Sequence, residues 1–450
     1  MAATSTTRGV APHQLEFELA TALPRIAIEP EWKSQQRLWG HSFHPMCSYL
    51  ASFPAALSHA FIARYSRPGD VVLDPFAGRG TVPLQASAEG RIGVGNDLNP
   101  FAHLLTAAKV EPATPAEART RLARLTLAWP GAADRWLPLA DAIQADPEHG
   151  GPEPVPAEVA VAFHRTTFGQ LLYVRDALDL GDRVDRFLAA AITGILHGKS
   201  ASYLSELMPN TFSMAPRYVR DYAARTGFQS AERDVFAGLG AKLDRLFRAP
   251  LPSSAGIALL GDARDAGARS AAALRAHGLP DRARLVVTSP PYLRVVKYGY
   301  YNWLRTWFLG FDAQTIDQAL DDAHHRAPYT VFLREVLHGL RRALTDDAVV
   351  VLVIGDVATD RGRNISNGTE LAEHIWAEAA APEGYRLAGV ALDAVLPNRK
   401  MTQLWGAEAG RATQLDRILV LGATELGRRR ALSAAATPVD WTWPPRLRVL

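Results

Sequence analysis

Asp70-Val-Val-Leu-Asp74-Pro-Phe-Ala-Gly-Arg-Gly-Thr81 is the stretch that decides how this chain folds. Val71–Leu73 is a short unbroken apolar run, the pattern of a strand buried on both faces. The run ends at Pro75 in a turn carrying Gly78 and Gly80, and the apolar-periodic Val82–Glu89 follows as a helix. Arg91-Ile-Gly-Val-Gly-Asn-Asp97 supplies a second strand a few residues later, so the two units open a βαβ arrangement.

Outward from that unit, strand-like runs recur at Gly256–Gly261, Arg284–Thr288, Ala348–Gly355, Leu387–Leu392 and Asp416–Leu421. Together they predict an α/β fold built on a doubly wound sheet. Between Pro115 and Pro250 no comparable strand occurs; Val159–Leu180 and Val184–His197 read as helical. Gly150–Pro156 and Pro250–Gly256, rich in proline, glycine and serine, read as linkers. The expected organisation is a core of residues 1–112 and 256–450 interrupted by a mostly helical insertion, 113–255.

Composition narrows the class. At 450 residues, 48% hydrophobic and 21% charged, the chain is long enough for a large core and is globular. Glu16, Glu18 and Glu29 interrupt the first 30 residues, and nowhere do 18 apolar residues run without a charge, so a soluble cytoplasmic protein with no membrane partner is expected. The single cysteine, Cys47, excludes an internal disulfide and a multi-cysteine zinc site. It sits in Pro45-Met46-Cys47, a setting that disfavours covalent attack on a pyrimidine ring. No metal is expected, and His324-His325-Arg326 reads as a solvated turn. A net charge of +3 permits nucleic-acid binding without arguing for it.

Four pieces carry chemistry, each at the end of a strand. In Asp74-Pro-Phe-Ala-Gly-Arg-Gly-Thr81 the glycines let the backbone approach a ligand, and the following helix offers unpaired N–H groups. A dinucleotide or an S-adenosyl cofactor suits such a loop. Only two of the three dinucleotide-fingerprint glycines are present, and no Gly-Lys-Ser/Thr ending binds a nucleoside triphosphate. Asp97 stands where a carboxylate accepts hydrogen bonds from two ribose hydroxyls, or else makes a turn before Pro100. Asp262, in Gly261-Asp262-Ala263, could accept from an adenine amino group or close a plain turn. The most specific piece is Val287-Thr-Ser-Pro-Pro-Tyr292, where two prolines remove N–H donors and leave the carbonyls of Ser289 and Pro290 as acceptors beside the flat face of Tyr292. That combination suits an extruded base, read on its edge and stacked from the side. Ser289 lacks the Gly-x-Ser-x-Gly elbow of a hydrolase nucleophile.

With these residues the chain resembles the amino-methylating DNA methyltransferases, which act on cytosine N4 or adenine N6. The resemblance covers Trp39–Val110 and Gly256–Leu421. It implies a Rossmann-like, S-adenosylmethionine-dependent methyltransferase core, with Asp74, Pro75, Phe76, Ala77, Gly78, Gly80 and Thr81 in the cofactor loop. Asp97 with Leu98 would hold the ribose, Asp262 with Ala263 the adenine, and Ser289, Pro290, Pro291 and Tyr292 would form the catalytic tetrapeptide. His41–Pro45 and Ser48–Phe53, with Tyr49 and Phe53, resemble the segment closing over the methionine end of the cofactor. Thr-Ser-Pro-Pro-Tyr in place of Asp-Pro-Pro-Tyr resembles the cytosine-N4 branch; adenine N6, an RNA base, or a non-catalytic DNA-binding protein on this fold are the alternatives. Double-stranded DNA is the implied partner, in a restriction-modification setting where a companion endonuclease is a further possibility. Target sequence and oligomeric state cannot be read from these residues.

For DNA contact, Arg294, Lys297 and Arg305 alternate with Tyr298, Tyr300, Tyr301, Trp303 and Trp307, a mixture suited to phosphates and to stacking, or else to plain core. In the insertion, the polar Met208–Pro216 loop with Asn210, followed by Arg217 and Arg220, is a candidate base-reading or phosphate-clamping element.

Overall fold

The computed structural model describes residues 22–36, 38–50, 53–208, 215–291, 297–320, 326–355, 369–394, 403–405, 408–409 and 415–443. The described residues contain nine strands: β1 Val71–Asp74, β2 Ile92–Asp97, β3 Ile257–Leu260, β4 Ala283–Thr288, β5 Leu344–Gly355, β6 Arg386–Ala394, β7 Gln403–Trp405, β8 Glu408–Ala409 and β9 Leu415–Gly422. Seven form one sheet in the order β3-β2-β1-β4-β5-β9-β6, while β7 and β8 pair separately. β3 through β5 pair in parallel, and β9 runs antiparallel to both β5 and β6. The strands expected from sequence are therefore present, and the sheet is a Rossmann-like α/β sheet closed on one side by an antiparallel pair. β5 begins at Leu344, ahead of the expected Ala348, because pairing with β4 extends back to Ala283 opposite Leu344.

Alternation along the strands divides the core into two layers. Val71, Leu73, Val286, Val350 and Leu352 face one side, where the helices Ala266–Ala276 and Arg326–Arg341 cover them. Val72, Leu285, Val287, Val349 and Val351 face the other, beneath the helices Ala55–Tyr65 and Glu425–Ala434. β1 and β4 are neighbours in the middle of the sheet, and successive crossovers run outward from them in opposite directions. A crevice opens at such a reversal, at the carboxyl ends of the strands.

In the 113–255 stretch between β2 and β3, the regular elements among the described residues are helices joined by turns. Its longest helix, Pro115–Ala145, begins at a capping box in which Thr114 and Glu117 satisfy each other's backbone N–H groups, with Pro115 in the first turn. The helix expected over Val159–Leu180 is two, Ala157–Ala162 and Arg165–Ala177, because Phe163 turns extended and His164 caps a new start through the N–H of Thr166. The expected Val184–His197 helix spans Arg183–Thr193, capped by Asp182 at the N–H groups of Val184 and Asp185. Insertion residues Leu125, Phe168, Leu188 and Leu243 share one apolar cluster with Met46, Phe101, Leu104 and Trp303. The insertion thus packs on the helix behind β2 and is continuous with the core. No helix among the described residues is long and apolar enough to cross a membrane.

Candidate active site

β1 delivers Asp74 to the crevice, and the turn after it owes its shape to two glycines. Gly78 and Gly80 have φ of 51° and 75°, values that L side chains adopt only with strain. A Cβ at Gly80 would lie 2.8 Å from Thr106 Oγ1 and 2.9 Å from Thr106 Cα, so the loop presses directly on the helix Pro100–Val110. Beneath it, the fully buried Lys109 donates through Nζ to the carbonyl of Arg79.

Asp97, at the end of β2, lies across from that turn. Its Oδ2 accepts the Gly78 N–H at 2.8 Å and its Oδ1 the Asn99 N–H at 2.9 Å. The Gly78 N–H therefore holds the carboxylate in place. Burial raises Asp97 to about 6 against the pull of those N–H groups. Burial likewise raises Asp74 to about 7, although the Thr288 hydroxyl donates to its Oδ1 at 2.6 Å and the Phe76 N–H at 3.0 Å. The Thr288–Asp74 bond ties the end of β4, just before Ser289, to the start of the glycine turn. β3 ends beside Asp97, with the Gly261 N–H donating to the Asp97 carbonyl at 3.0 Å. Asp262 follows; its Oδ1 accepts the Arg264 N–H and its Oδ2 the Arg264 guanidinium, at 2.8 and 2.7 Å.

These strand ends line one cleft with about 1090 Å3 of open space. Asp74, Pro75, Phe76, Ala77, Gly78, Thr81, Asp97, Leu98, Asp262, Ala263, Tyr49 and Phe53 all reach it, as do Ser289 and Pro291. Gly80 shapes the turn from behind, and Pro290 is buried next to the lining. Tyr292, Arg294 and Asn210 lie outside the described residues, as does His324-His325.

Several expectations need correction. His41–Pro45 does not reach the cleft lining: His41 Nε2 bonds to the Pro250 carbonyl at 2.8 Å, and His44 Nε2 to Gln85 Oε1 at 2.8 Å. Only the later part of the segment, Tyr49, Leu50 and Phe53, reaches the lining. Arg305, Trp303 and Trp307 are core rather than DNA-facing; Arg305 is 2% exposed and donates to the Thr193 carbonyl and to Asn302 Oδ1. Tyr298 belongs to the cleft wall, its ring stacked on Tyr49 at 5.4 Å and 18°. Burial pushes both phenols up, so both are neutral. Lys297 is exposed close by. On the insertion, Arg217 is exposed with Asp221 at 3.9 Å, while Arg220 pairs with the buried Glu158 at 3.0 Å.

The residues that sequence reading missed are Asn99, Tyr329 and Phe332. Asn99 caps the helix Pro100–Val110 at the Phe101 N–H and donates to the Tyr49 hydroxyl at 3.1 Å, fixing the cleft's aromatic wall. Asn-Pro ahead of an apolar run was the available signal. Tyr329 and Phe332, three residues apart on one helical face, form the opposite wall, with Phe76 against Phe332 at 5.8 Å.

Residues 20–108 match the family model described as DNA methylase, of the N6/N4 methyltransferase kind. Among characterised proteins, the type II methyltransferase M.Cfr9I of Citrobacter freundii is 37% identical over 70 residues, 15% of this chain and 23% of its own. M.XycI of Xanthomonas campestris pv. cyanopsidis is 38% identical over 69 residues, with the same coverage of each chain. M.MjaII of Methanocaldococcus jannaschii is 34% identical over 71 residues, 16% of this chain and 13% of its own. The matched stretches thus span less than a quarter of these relatives. Among solved structures, TrmN from Thermus thermophilus aligns at TM-score 0.30 and 12% identity over 84% of this chain and 52% of its own. The rRNA methyltransferase aviRa from Streptomyces viridochromogenes aligns at 0.32 and 12% over 85% and 90%.

Proposed function

From the amino-methylating DNA methyltransferase family, which the match over residues 20–108 and the type II relatives support, we propose that this chain methylates an exocyclic amino group in double-stranded DNA, cytosine N4 in preference to adenine N6. The observation that carries the reading is the convergence of Ser289 and Pro291, Asp97 and the glycine turn on one cleft, with Thr288 bonded to Asp74 across it. The methyl donor implied by the family is S-adenosylmethionine, and the lining fits it. A carboxylate at the end of β2 suits the ribose hydroxyls, the Asp262 oxygens retain lone pairs for an adenine amino group, and Tyr49, Phe53 and Phe76 give apolar walls. Bound there, it supplies a methyl group already activated on a sulfonium.

What remains for the protein is to position an amine and free its lone pair, which the conjugated base withholds. Acceptors at Ser289 and the Pro290 carbonyl would hold the amine protons and favour a tetrahedral nitrogen. The base must leave the duplex to reach them, and an aromatic face at Tyr292 or Tyr298 would take over the lost stacking. Ser289 where the adenine-type motif has aspartate supports cytosine. A companion endonuclease is part of this proposal, by analogy with the type II label of the relatives.

The test is nucleoside mass spectrometry of plasmid DNA incubated with the protein and isotope-labelled S-adenosylmethionine. Label in N4-methylcytosine is the expected result. Label in N6-methyladenine would overturn the choice of base, and label in neither would overturn the DNA reading.

A further inference from the structure

A second cavity lies apart from the cleft, between the 38–45 segment and the C-terminal end of the helix Val235–Leu246, with about 1500 Å3 of open space. Lys242, Arg245 and Arg248 line it and, among the described residues, no acidic residue does. Lys242 is 7% exposed, yet among the described residues its ammonium donates only to the Pro45 carbonyl, at 3.1 Å. Among the described residues neither Arg245 nor Arg248 has a hydrogen-bond or ion-pair partner, and Asp244, just before Arg245, pairs with Arg119. Cations at a helix C-terminus gain from the macrodipole, which accounts for Arg245 and Arg248 singly. It does not account for Lys242, a turn earlier and desolvated within reach of the Arg245 and Arg305 charges, since a buried charge without a counter-ion is costly. Burial pulls that ammonium down to about 8. Ser202 and Tyr203 on one wall add hydroxyl donors, and Trp443 adds an aromatic face.

We propose that this cavity is an anion site for a phosphate group, held by the Lys242 ammonium and the Arg245 and Arg248 guanidiniums. Guanidiniums suit phosphate because their planar donors meet two of its oxygens at once. The phosphate is either free or part of a nucleic-acid backbone. The second source rests on the DNA reading above, whereas the first does not.

The experiment compares wild-type protein with the Arg245→Gln/Arg248→Gln variant, both side chains being at least partly exposed, and with Lys242→Met, circular dichroism showing that each is folded. Inorganic phosphate is titrated by calorimetry, and the salt dependence of affinity for a duplex oligonucleotide is measured in parallel. Loss of both guanidiniums is expected to weaken phosphate binding at least about tenfold. If the ligand is a strand, the variant also loses about one unit of salt slope per phosphate contact removed. Weaker phosphate binding with an unchanged slope identifies a soluble phosphate ligand. Phosphate affinity and salt slope both equal to wild type in the double variant would overturn the site, whatever base the enzyme methylates.

Discussion

Cofactor affinity should fall in acid with a midpoint set by Asp97. Two ribose hydroxyls need two lone-pair-rich oxygens, and Asp97 offers them only when ionised, because a protonated carboxyl turns one oxygen into a donor. Burial has raised its titration in the free protein to about 6. The sign follows from linkage: the bound state requires the carboxylate, so binding must first remove a proton wherever the pH lies below that value. Affinity is then flat above about 6 and drops about tenfold for each unit below it. Asp74, raised to about 7, is the competing explanation, but its Oδ1 is already occupied by Thr288 and Phe76. Calorimetric titration of S-adenosylmethionine across this range, for wild type, Asp97→Asn and Asp74→Asn, separates the two. Asp97→Asn keeps one acceptor oxygen and should lose about 2 kcal/mol, roughly thirtyfold in Kd, and its profile should be flat near 6. Asp74→Asn should keep the inflection. A wild-type affinity that does not change between neutral and acid pH, or an inflection that survives in Asp97→Asn, would refute the assignment.

Gly80→Ala should destabilise the fold by about 2 kcal/mol or more, because the left-handed φ and the contact with Thr106 Cα cannot both be relieved; a lower urea midpoint at unchanged slope is the readout. Lys109→Met should act oppositely on stability and on binding. Burial holds this ammonium well below its ordinary value, so its charge costs folding at every pH under the unfolded one; removal should raise stability by about 1 kcal/mol while cofactor affinity falls as the Arg79 carbonyl loses its donor. Lys297→Gln should lower the salt slope of DNA binding by about one. Arg220→Gln should leave that slope alone and instead destabilise the insertion, since Glu158 at 3.0 Å would be left buried without its partner.

The strand-end motifs were legible because each depends on local chemistry: Asp74, Asp97, Asp262 and Ser289 follow apolar runs, and a doubly wound sheet carries such ends to one edge whatever lies between them in sequence. That is why an insertion of some 140 residues between Asp97 and Asp262 leaves them lining the same cleft. What sequence could not supply was the direction in which a side chain faces. Arg305 among Trp303, Thr306 and Trp307 reads as a basic aromatic surface, yet Leu304 and Phe308 share its helix, and the insertion covers the whole turn; Arg305 is buried against the Thr193 carbonyl, 112 residues away in sequence. Pairing at that separation leaves no local periodicity to detect. His41 follows the same logic, since its partner, the Pro250 carbonyl, lies 209 residues away at the far end of the insertion, whereas His44 pairs with Gln85 on the helix that follows the glycine turn, 41 residues away. Tyr49 and Phe53, from the same segment, do reach the cleft, where aromatic residues just ahead of the glycine turn give it an apolar wall. Within this one stretch of chain, His41 and His44 take partners that only tertiary folding fixes, while Tyr49 and Phe53 line the cleft.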